Sequence, residues 1–323
     1  MSHQTPAQPD IASARVSAVP ATAPLWQDLL RSLRPKQWLK NGLLCLAALF
    51  SVNQYWFPSE PGALISILSR SFAAFGLWCM LSSAEYLLND FMDAAQDREH
   101  PTKRFRPIAA GRISKAVVLG VTGVLLGGGL IGSFALSTAF GLVALGYVAL
   151  TTSYTLGLKH QVIIDVCILS MGFVLRAVGG AVAIDVPISP WLYVCTFLGA
   201  LFLAIPKRRH ELLLLDEKAG THRRALEEYS PILLDQMINV VAPSTVIAYS
   251  LYTFSAETLP KNHAMMWTIP FVLYGVFRYL YLVYQKSLGG SPEETLLSDA
   301  PLIIDIVLWL TVAAGVLLFF RGQ

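Results

Sequence analysis

Charged residues are scarce in this sequence, and their scarcity narrows the class of protein. Only 14% of the 323 residues are charged, whereas soluble globular chains carry about a quarter. Hydrophobic residues make up 54%, and the mean hydropathy is +0.55. The net charge of +3 is small, which gives no global electrostatic support for a nucleic-acid partner. The composition excludes a pair of soluble domains and predicts a polytopic membrane protein.

Cysteine is equally sparse. The chain has neither a CxxC pair nor a cluster of histidines beside a cysteine. Each cysteine stands alone inside an apolar run, which is typical of a buried, reduced thiol. The four are Cys45, Cys79, Cys167 and Cys195. This pattern excludes a disulfide framework and a cysteine-based zinc site.

The N-terminal segment lacks a signal peptide's apolar core of about 7–15 residues. Residues 1–24 are instead rich in Ala, Pro, Ser and Thr, which is typical of disorder. We therefore expect a disordered cytoplasmic tail at 1–24, followed by a single transmembrane catalytic domain at 25–323. The first span would then act as the insertion signal.

Long apolar runs, by contrast, are abundant. A transmembrane helix needs about 20 predominantly apolar residues. Nine segments qualify, of which the sixth is short: 39–56, 68–90, 116–136, 138–156, 162–184, 190–206, 232–254, 264–284 and 301–320. The glycine-rich run GVTGVLLGGGLIG in the third segment favours close helix packing. The predicted fold class is all-α, a polytopic membrane helical bundle of about nine transmembrane helices.

Lysine and arginine indicate the orientation. Of 24 such residues, 19 fall on one predicted side of the membrane, the side that holds the N-terminus and the loops after the second and sixth spans. Because cytoplasmic loops carry the excess of basic residues, both charged loops are predicted to face the cytoplasm. We expect a multi-pass protein of the cell (inner) membrane, with a cytoplasmic N-terminus and a cytoplasmic mouth to its active site.

Acidic residues gather at the cytoplasmic end of the second span. At about 100° per residue, helical geometry places them within an arc of about 100°. The cluster consists of Asn89, Asp90, Asp93 and Asp97. Carboxylates this close repel one another, and Mg²⁺ removes the conflict by taking one or two carboxylates together with substrate phosphate oxygens. The spacing predicts a magnesium site with catalytic Asp90, Asp93 and Asp97; the alternative is a solvated, charged helix end.

Glu85 lies one turn deeper on the same face. It could contact the metal ligands without binding the metal itself, or it could have a packing role within the membrane.

A basic run follows the acidic cluster directly. Its cationic members are Lys103, Arg104 and Arg106, with His100 beside them. Such a set suits a highly phosphorylated ligand, with metal on one part of the anion and guanidinium or ammonium groups on the rest. Pro101, Pro107 and Gly111 would hold the run out of a helix. The alternative is a positively charged cytoplasmic loop without a ligand, which explains the bases but not the adjacent acids.

Three stretches carry a family resemblance: RPKQWLKN at 34–41, NDFMDAAQDREHPTKRFRPIAAG at 89–111 and YTLGLKHQ at 154–161. Together they resemble the UbiA superfamily of intramembrane transferases, and within it the decaprenyl-phosphate phosphoribosyltransferase branch. The resemblance extends over nearly the whole chain after residue 25. It implies a helical bundle with a cytoplasm-facing cavity, Mg²⁺ as cofactor, 5-phosphoribosyl 1-diphosphate as donor and a polyprenyl (decaprenyl) phosphate as acceptor. The product would be a lipid-linked pentose precursor for arabinan in the cell wall.

The second charged loop differs from that of prenyl-diphosphate-using members, which carry a second acidic motif there. This chain has KRRHELLLLDE at 207–217, where only Glu211, Asp216 and Glu217 are acidic. That departure suits a sugar phosphate that needs further cationic contacts. The predicted substrate-binding residues are Lys36, Lys40, Lys103, Arg104, Arg106, Tyr154, Lys159, Lys207, Arg208 and Arg209. For Lys36 and Lys159, an anchoring role at the membrane interface is the alternative.

Charges inside the spans also need a reason. Asp165 and Arg176 share a helical face but lie about 16 Å apart along it, so they are not expected to pair. Arg176 could face the cavity or bond a neighbouring helix. For Asp235, Arg278 and Asp305 we expect structural pairing.

Two other functions compete with phosphoribosyl transfer. A prenyltransferase that moves an allylic diphosphate onto an aromatic acceptor would use the same first motif but favours a second acidic cluster. A transporter or non-catalytic scaffold would place polar groups near the bilayer midplane, whereas the main cluster here lies at one face. The sequence leaves the oligomeric state open and allows a homo-oligomer.

Overall fold

The computed structural model describes residues 24–99, 102–187, 189–216, 224–256 and 259–320. The predicted tail, apart from Pro24, lies outside these residues, as do His100, Pro101 and Glu217. The described chain is helical and contains no named β-strand. Its α-helices are α1 (Leu25–Leu33), α2 (Leu43–Ser51), α3 (Pro61–Met92), α4 (Ala94–Glu99), α5 (Lys115–Leu136), α6 (Thr138–Leu156), α7 (Ile164–Ala183), α8 (Pro190–Asp216), α9 (Arg224–Glu228), α10 (Pro231–Ser255), α11 (Ile269–Gln285), α12 (Pro292–Ser298) and α13 (Ala300–Phe319). Short 3₁₀ helices occupy Pro35–Gly42, Lys103–Phe105, Leu158–His160 and Ala264–Thr268.

Eight helical segments of the described chain are long and apolar enough to cross a membrane, which confirms the multi-pass all-α class. The predicted first span, 39–56, is the exception. There the 3₁₀ helix Pro35–Gly42 runs directly into the short helix α2. Their summed length is about 30 Å, from rises of about 2.0 and 1.5 Å per residue. This approaches the thickness of a bilayer's hydrocarbon core, but the 3₁₀ part is the polar stretch PKQWLKNG, so the described chain has eight candidate spans where about nine were expected.

The sixth predicted span is longer than expected. Instead of ending near residue 206, α8 continues through Pro206 to Asp216, so most of the expected second charged loop is helical. The charges do not end the helix because the protein itself provides partners for them. Arg208, for example, bonds both Asp165 on α7 and Glu211 one turn further along α8.

Glycines allow two helix pairs to approach closely. The glycine-rich run of α5 packs against α3, where a Cβ on Gly129 would lie 2.6 Å from a methyl carbon of Leu81. This confirms the packing role predicted for the run. The contact of α7 with α2 is tighter still, since a Cβ on Gly180 would lie 2.1 Å from the carbonyl oxygen of Leu44. Backbone contact therefore fixes α2, and the 3₁₀ helix before it, against α7.

Arg176 anchors the same region from inside the bundle. Its guanidinium donates to Asn41 Oδ1 and to Tyr147 Oη, both at 2.9 Å, and to the Gly172 carbonyl at 2.8 Å. The prediction that Arg176 does not pair with Asp165 is confirmed. Its side-chain partners, Asn41 and Tyr147, lie on neighbouring elements, and Gly172 lies one turn away on α7 itself. These bonds tie the 3₁₀ helix Pro35–Gly42 to α6 and α7, which fixes the position of the basic segment 34–41.

Candidate active site

The end of α3 carries the acidic cluster. Asn89 and Asp90 lie in its last turn, Asp93 follows the helix, and Asp97 lies on α4. The Asp93 amide donates to the Asn89 carbonyl at 2.9 Å, and the Asp97 amide donates to the Asp93 carbonyl at 2.8 Å. Helical winding thus continues across the break between α3 and α4. It keeps the carboxylates on neighbouring turns, as the spacing predicts.

Two arginines hold the buried carboxylates of this cluster. Arg106 Nη1 lies 3.1 Å from Asp90 Oδ1 and 2.7 Å from Asp97 Oδ2. Arg34 Nη2 lies 2.5 Å from the same Asp90 oxygen, and its guanidinium stacks over the ring of Tyr86. The basic run after α4 therefore folds back onto the acids. The stretch RPKQWLKN at 34–41 also reaches them, through Arg34.

Lys159 completes the set of cations around the acids. It lies in the 3₁₀ helix after α6, is 5% exposed, and forms an ion pair with Asp93. Thr155, at the end of α6, donates to Asn89 Oδ1 at 3.5 Å. The stretches at 89–111 and 154–161, far apart in sequence, meet here.

The chemistry of the acidic cluster fits Mg²⁺. In the described residues no group of three or more His, Cys, Asp or Glu side chains stands ready as a metal site. Among the described residues, the side-chain contacts of Asp90, Asp93 and Asp97 use one oxygen of each carboxylate, and the contacting groups are cations. A hard cation takes oxygen ligands of this kind, and its binding would exchange arginine or lysine partners for the ion.

The basic trio on α8 separates in space. Arg208 is 3% exposed and donates to Asp165 Oδ2 at 2.6 Å, to Glu211 Oε2 at 2.5 Å and to Tyr154 Oη at 2.9 Å. Tyr229 donates to the other oxygen of Asp165 at 2.8 Å. Arg208 is thus the centre of a buried network that joins α6, α7 and α8 and holds Tyr154 beside them.

Arg209 points to a different part of the bundle. Its Nε lies 2.6 Å from Asp235 Oδ1 on α10, and its guanidinium lies over the ring of Tyr284 on α11. The hydroxyl of Tyr284 also donates to Asp235, at 2.6 Å. The pairing predicted for Asp235 is confirmed. The structure does not place Arg209 among the cations around the acidic cluster.

Two other embedded charges were expected to pair. Arg278 does so, because its Nη2 lies 2.8 Å from Asp299 Oδ2. For Asp305 the expectation is wrong: within the described chain its carboxylate makes no salt bridge, and it lines an apolar cavity instead.

The exposed members of the predicted site are Lys36 and Arg104, and Arg104 stacks on Phe105 at 4.8 Å. Lys103, in the adjacent 3₁₀ helix, is partly buried. A role for these three in substrate binding remains a prediction.

An apolar cavity of ≈ 650 Å³ lies between α2, α7, α8, α10, α11 and α13. Aromatic side chains form much of its wall: Phe50, Trp191, Tyr249, Tyr252, Phe271 and Trp309. The charged residues that line it are Lys40, Lys207, Glu293 and Asp305. Lys40 forms an ion pair with Glu293 on α12. A long apolar chain with an anionic end matches this combination of surfaces.

Sequence reasoning missed Arg34 and Glu293. Arg34 begins the stretch RPKQWLKN, and that position was the signal available for it. Glu293 lies some 250 residues from Lys40, in a segment without a recognisable motif. Its partnership with Lys40 follows from the packing of the helices.

The geometry agrees with comparisons to known proteins. The model of the UbiA prenyltransferase family matches residues 42–294. Decaprenyl-phosphate phosphoribosyltransferase of Mycolicibacterium smegmatis is 34% identical over 90% of this chain and 93% of that protein. The protein of the same name from Mycobacterium tuberculosis is 35% identical over 91% and 96%. A UbiA homologue from Archaeoglobus fulgidus, solved with GPP and Mg²⁺, matches the fold with a TM-score of 0.67 and 18% identity over 90% of this chain and 99% of that chain. The chain belongs to the UbiA prenyltransferase family.

Proposed function

We propose that this protein transfers the 5-phosphoribosyl group of 5-phosphoribosyl 1-diphosphate to a polyprenyl phosphate and releases diphosphate. The observation that carries the proposal is the proximity of two unlike surfaces. A cluster of acids and bases suited to a phosphate-rich, water-soluble donor lies at one end of the bundle. An apolar cavity with lysines at its wall lies beside it, since Lys40 in that wall interacts electrostatically with Arg34, which bonds Asp90. The curated relatives named decaprenyl-phosphate phosphoribosyltransferase match about nine-tenths of the chain, which supports the same reaction.

The donor site is assigned to the acidic cluster and its cations. Asp90, Asp93 and Asp97 would hold Mg²⁺, which when bound neutralises charge on the departing diphosphate. Arg34 and Arg106 provide planar guanidinium groups that bind phosphate oxygens in pairs. These side chains would bind the donor at the end of the bundle beside the cavity.

The reaction needs orientation more than proton transfer. The bond between the anomeric carbon and the diphosphate oxygen breaks, and a bond from that carbon to an acceptor phosphate oxygen forms. Positive charge develops at the sugar carbon as the first bond lengthens, as in other glycosyl transfers. The acceptor phosphate is an anion near neutral pH and attacks without a general base. The protein contributes by holding that oxygen in line with the sugar carbon.

The test is an assay with the full-length protein in detergent, using radiolabelled 5-phosphoribosyl 1-diphosphate, decaprenyl phosphate and Mg²⁺. We expect label to move into an organic-extractable lipid and the transfer to stop with EDTA. The variant Asp93→Asn should lower turnover by about two orders of magnitude or more, as loss of a charged catalytic contact does, while remaining monodisperse. Lys286→Gln, an exposed lysine outside the site, is the matched control and should retain full turnover.

Two outcomes would contradict the assignment. Label that stays in the aqueous phase, in a preparation that prenylates an aromatic acid from an allylic diphosphate, would favour the alternative prenyltransferase. Near-normal turnover of Asp93→Asn would remove Asp93 from the metal site.

A further inference from the structure

Four polar side chains converge at one part of the apolar cavity. They come from four separate elements: Lys40 from the first 3₁₀ helix, Lys207 from α8, Tyr279 from α11 and Glu293 from α12. Glu293 is their common centre. It forms an ion pair with Lys40 and interacts electrostatically with Lys207 and with the Tyr279 hydroxyl.

This cluster has more donors than its one carboxylate can satisfy. Lys207 makes no salt bridge to any residue that the structure describes, and the buried hydroxyl of Tyr279 has no hydrogen-bond partner there. Tyr279 is 1% exposed. A buried polar group without a partner is costly, and ionisable groups at membrane depth mark ligand sites. Lys207 also interacts with Glu211 on α8, but the Glu211 carboxylate is already bonded by Arg208. The ammonium group of Lys207 and the hydroxyl of Tyr279 therefore remain as donors that a further anion could accept from.

Glu293 itself is held as an anion. Burial alone would raise the pKa of its carboxyl, but Lys40 and Lys207 lower it below its ordinary value. Its helix, α12, has seven residues and is not one of the membrane-crossing segments. A carboxylate on this short connecting helix therefore sits among the cations where an oxygen of another anion could bind.

We propose that Lys40, Lys207 and Tyr279 bind the phosphate group of the acceptor lipid, and that Glu293 occupies this site until the lipid displaces it. The assignment rests on the proposed function, which supplies the identity of the lipid. It divides the basic residues between the two substrates. Lys40 and Lys207 serve the acceptor, and the cations around the acidic cluster serve the donor.

The two sites are close enough to cooperate. Arg34, which bonds Asp90, and Lys40 are joined by the 3₁₀ helix Pro35–Gly42. Six residues at about 2.0 Å each place them about 12 Å apart along the chain. This separation suits a donor and an acceptor phosphate that must meet at one sugar carbon, while the apolar cavity extends from the acceptor end to receive the prenyl chain.

The experiment measures lipid binding without the donor, so it does not depend on turnover. Radiolabelled decaprenyl phosphate binds to the purified full-length protein in detergent, with uncharged decaprenol and inorganic phosphate as competitors. Lys207→Gln should weaken binding about tenfold or more, the effect of losing a charge-assisted hydrogen bond. Glu293→Gln should instead tighten it severalfold, because the competing carboxylate is gone. Tyr279→Phe should weaken it slightly, and Lys286→Gln should match the unaltered protein.

The opposite signs separate the proposal from a merely structural role. If Glu293→Gln weakens binding as Lys207→Gln does, Glu293 supports the site and is not displaced by the lipid. If Lys207→Gln and Lys40→Gln both bind decaprenyl phosphate normally, the phosphate lies elsewhere and the proposal is wrong. Should Lys207→Gln not fold, Lys207→Arg, which keeps the charge, and Tyr279→Phe carry the test.

The outcome is also distinct from that of the transfer assay. Lysine-dependent lipid binding without phosphoribosyl transfer would keep the anion site and reject the proposed function. Phosphoribosyl transfer that is unchanged in Lys40→Gln and in Lys207→Gln would keep the proposed function and reject the anion site.

Discussion

At the scale of single residues, the run Lys207, Arg208 and Arg209 shows how one basic stretch serves three places. Successive residues of an α-helix point about 100° apart. Lys207 consequently lines the apolar cavity, Arg208 turns to Asp165 on α7, and Arg209 turns to Asp235 on α10. Three adjacent cations of a helix therefore cannot all bind one substrate, although all three were predicted as substrate-binding residues.

Replacing the two arginines separately should give different results. Arg208→Gln leaves the buried carboxylate of Asp165 without its cation, and breaking a buried pair in this way costs about 3–5 kcal/mol. Arg209→Gln, at a partly exposed pair, should cost about 1 kcal/mol or less. Thermal unfolding in detergent, followed with a dye that reacts with the four free cysteines, measures both. A higher KM for the donor in Arg208→Gln, without loss of stability, would instead place Arg208 at the substrate.

The sequence predicts contacts that are local and misses those made by packing. Arg106 follows Asp97 by nine residues, and the 3₁₀ helix Lys103–Phe105 lies in the short segment that joins them. Lys159 was found through its resemblance alone, since 66 residues separate it from Asp93. Glu293 offered neither proximity nor motif. Its pairing with Lys40 depends on how α12 sits on the bundle.

At the scale of elements, hydropathy predicts the spans well because a bilayer demands apolar length. It does not predict the 3₁₀ winding of the first segment, or that the Asn41 side chain there bonds Arg176 and Ser82. The backbone contact between α2 and α7 then sets where this segment lies. The position of Lys40 thus depends on Gly180 of α7, which contacts α2, the helix that follows the 3₁₀ helix of Lys40.

Gly180→Ala should disturb both stability and acceptor binding. A methyl group there would lie 2.1 Å from the Leu44 carbonyl oxygen, so α2 and α7 must separate. We expect a lower unfolding temperature and weaker binding of decaprenyl phosphate. Gly123→Ala, on α5, is the matched control because nothing lies within 4 Å of its added Cβ, and a helical alanine is favoured over glycine by about 1 kcal/mol. Equal behaviour of the two variants would show that the α2–α7 contact adjusts without consequence.

At the scale of the whole molecule, the charged elements collect at one end of the bundle. The acidic cluster, its cations and Lys159 are joined there by direct contacts. The same end carries the excess of lysine and arginine along the chain. Because a multiply charged sugar phosphate does not cross a bilayer unaided, the donor must be supplied from the side that this end faces. Positive charge on that side predicts the cytoplasm.

Cysteine labelling of intact cells tests this orientation. Ser59, between α2 and α3, and Lys261, between α10 and α11, are exposed and lie at the predicted outer end, whereas exposed Ser287, after α11, lies at the predicted cytoplasmic end. A membrane-impermeant maleimide should label Ser59→Cys and Lys261→Cys in intact cells, and Ser287→Cys only after permeabilisation. The unaltered chain, whose four cysteines all lie in helices, gives the background. Labelling of Ser287→Cys in intact cells would show that the active site faces outward, which would contradict the predicted orientation. The donor would then have to be present outside the cell, which would contradict the proposed donor as well.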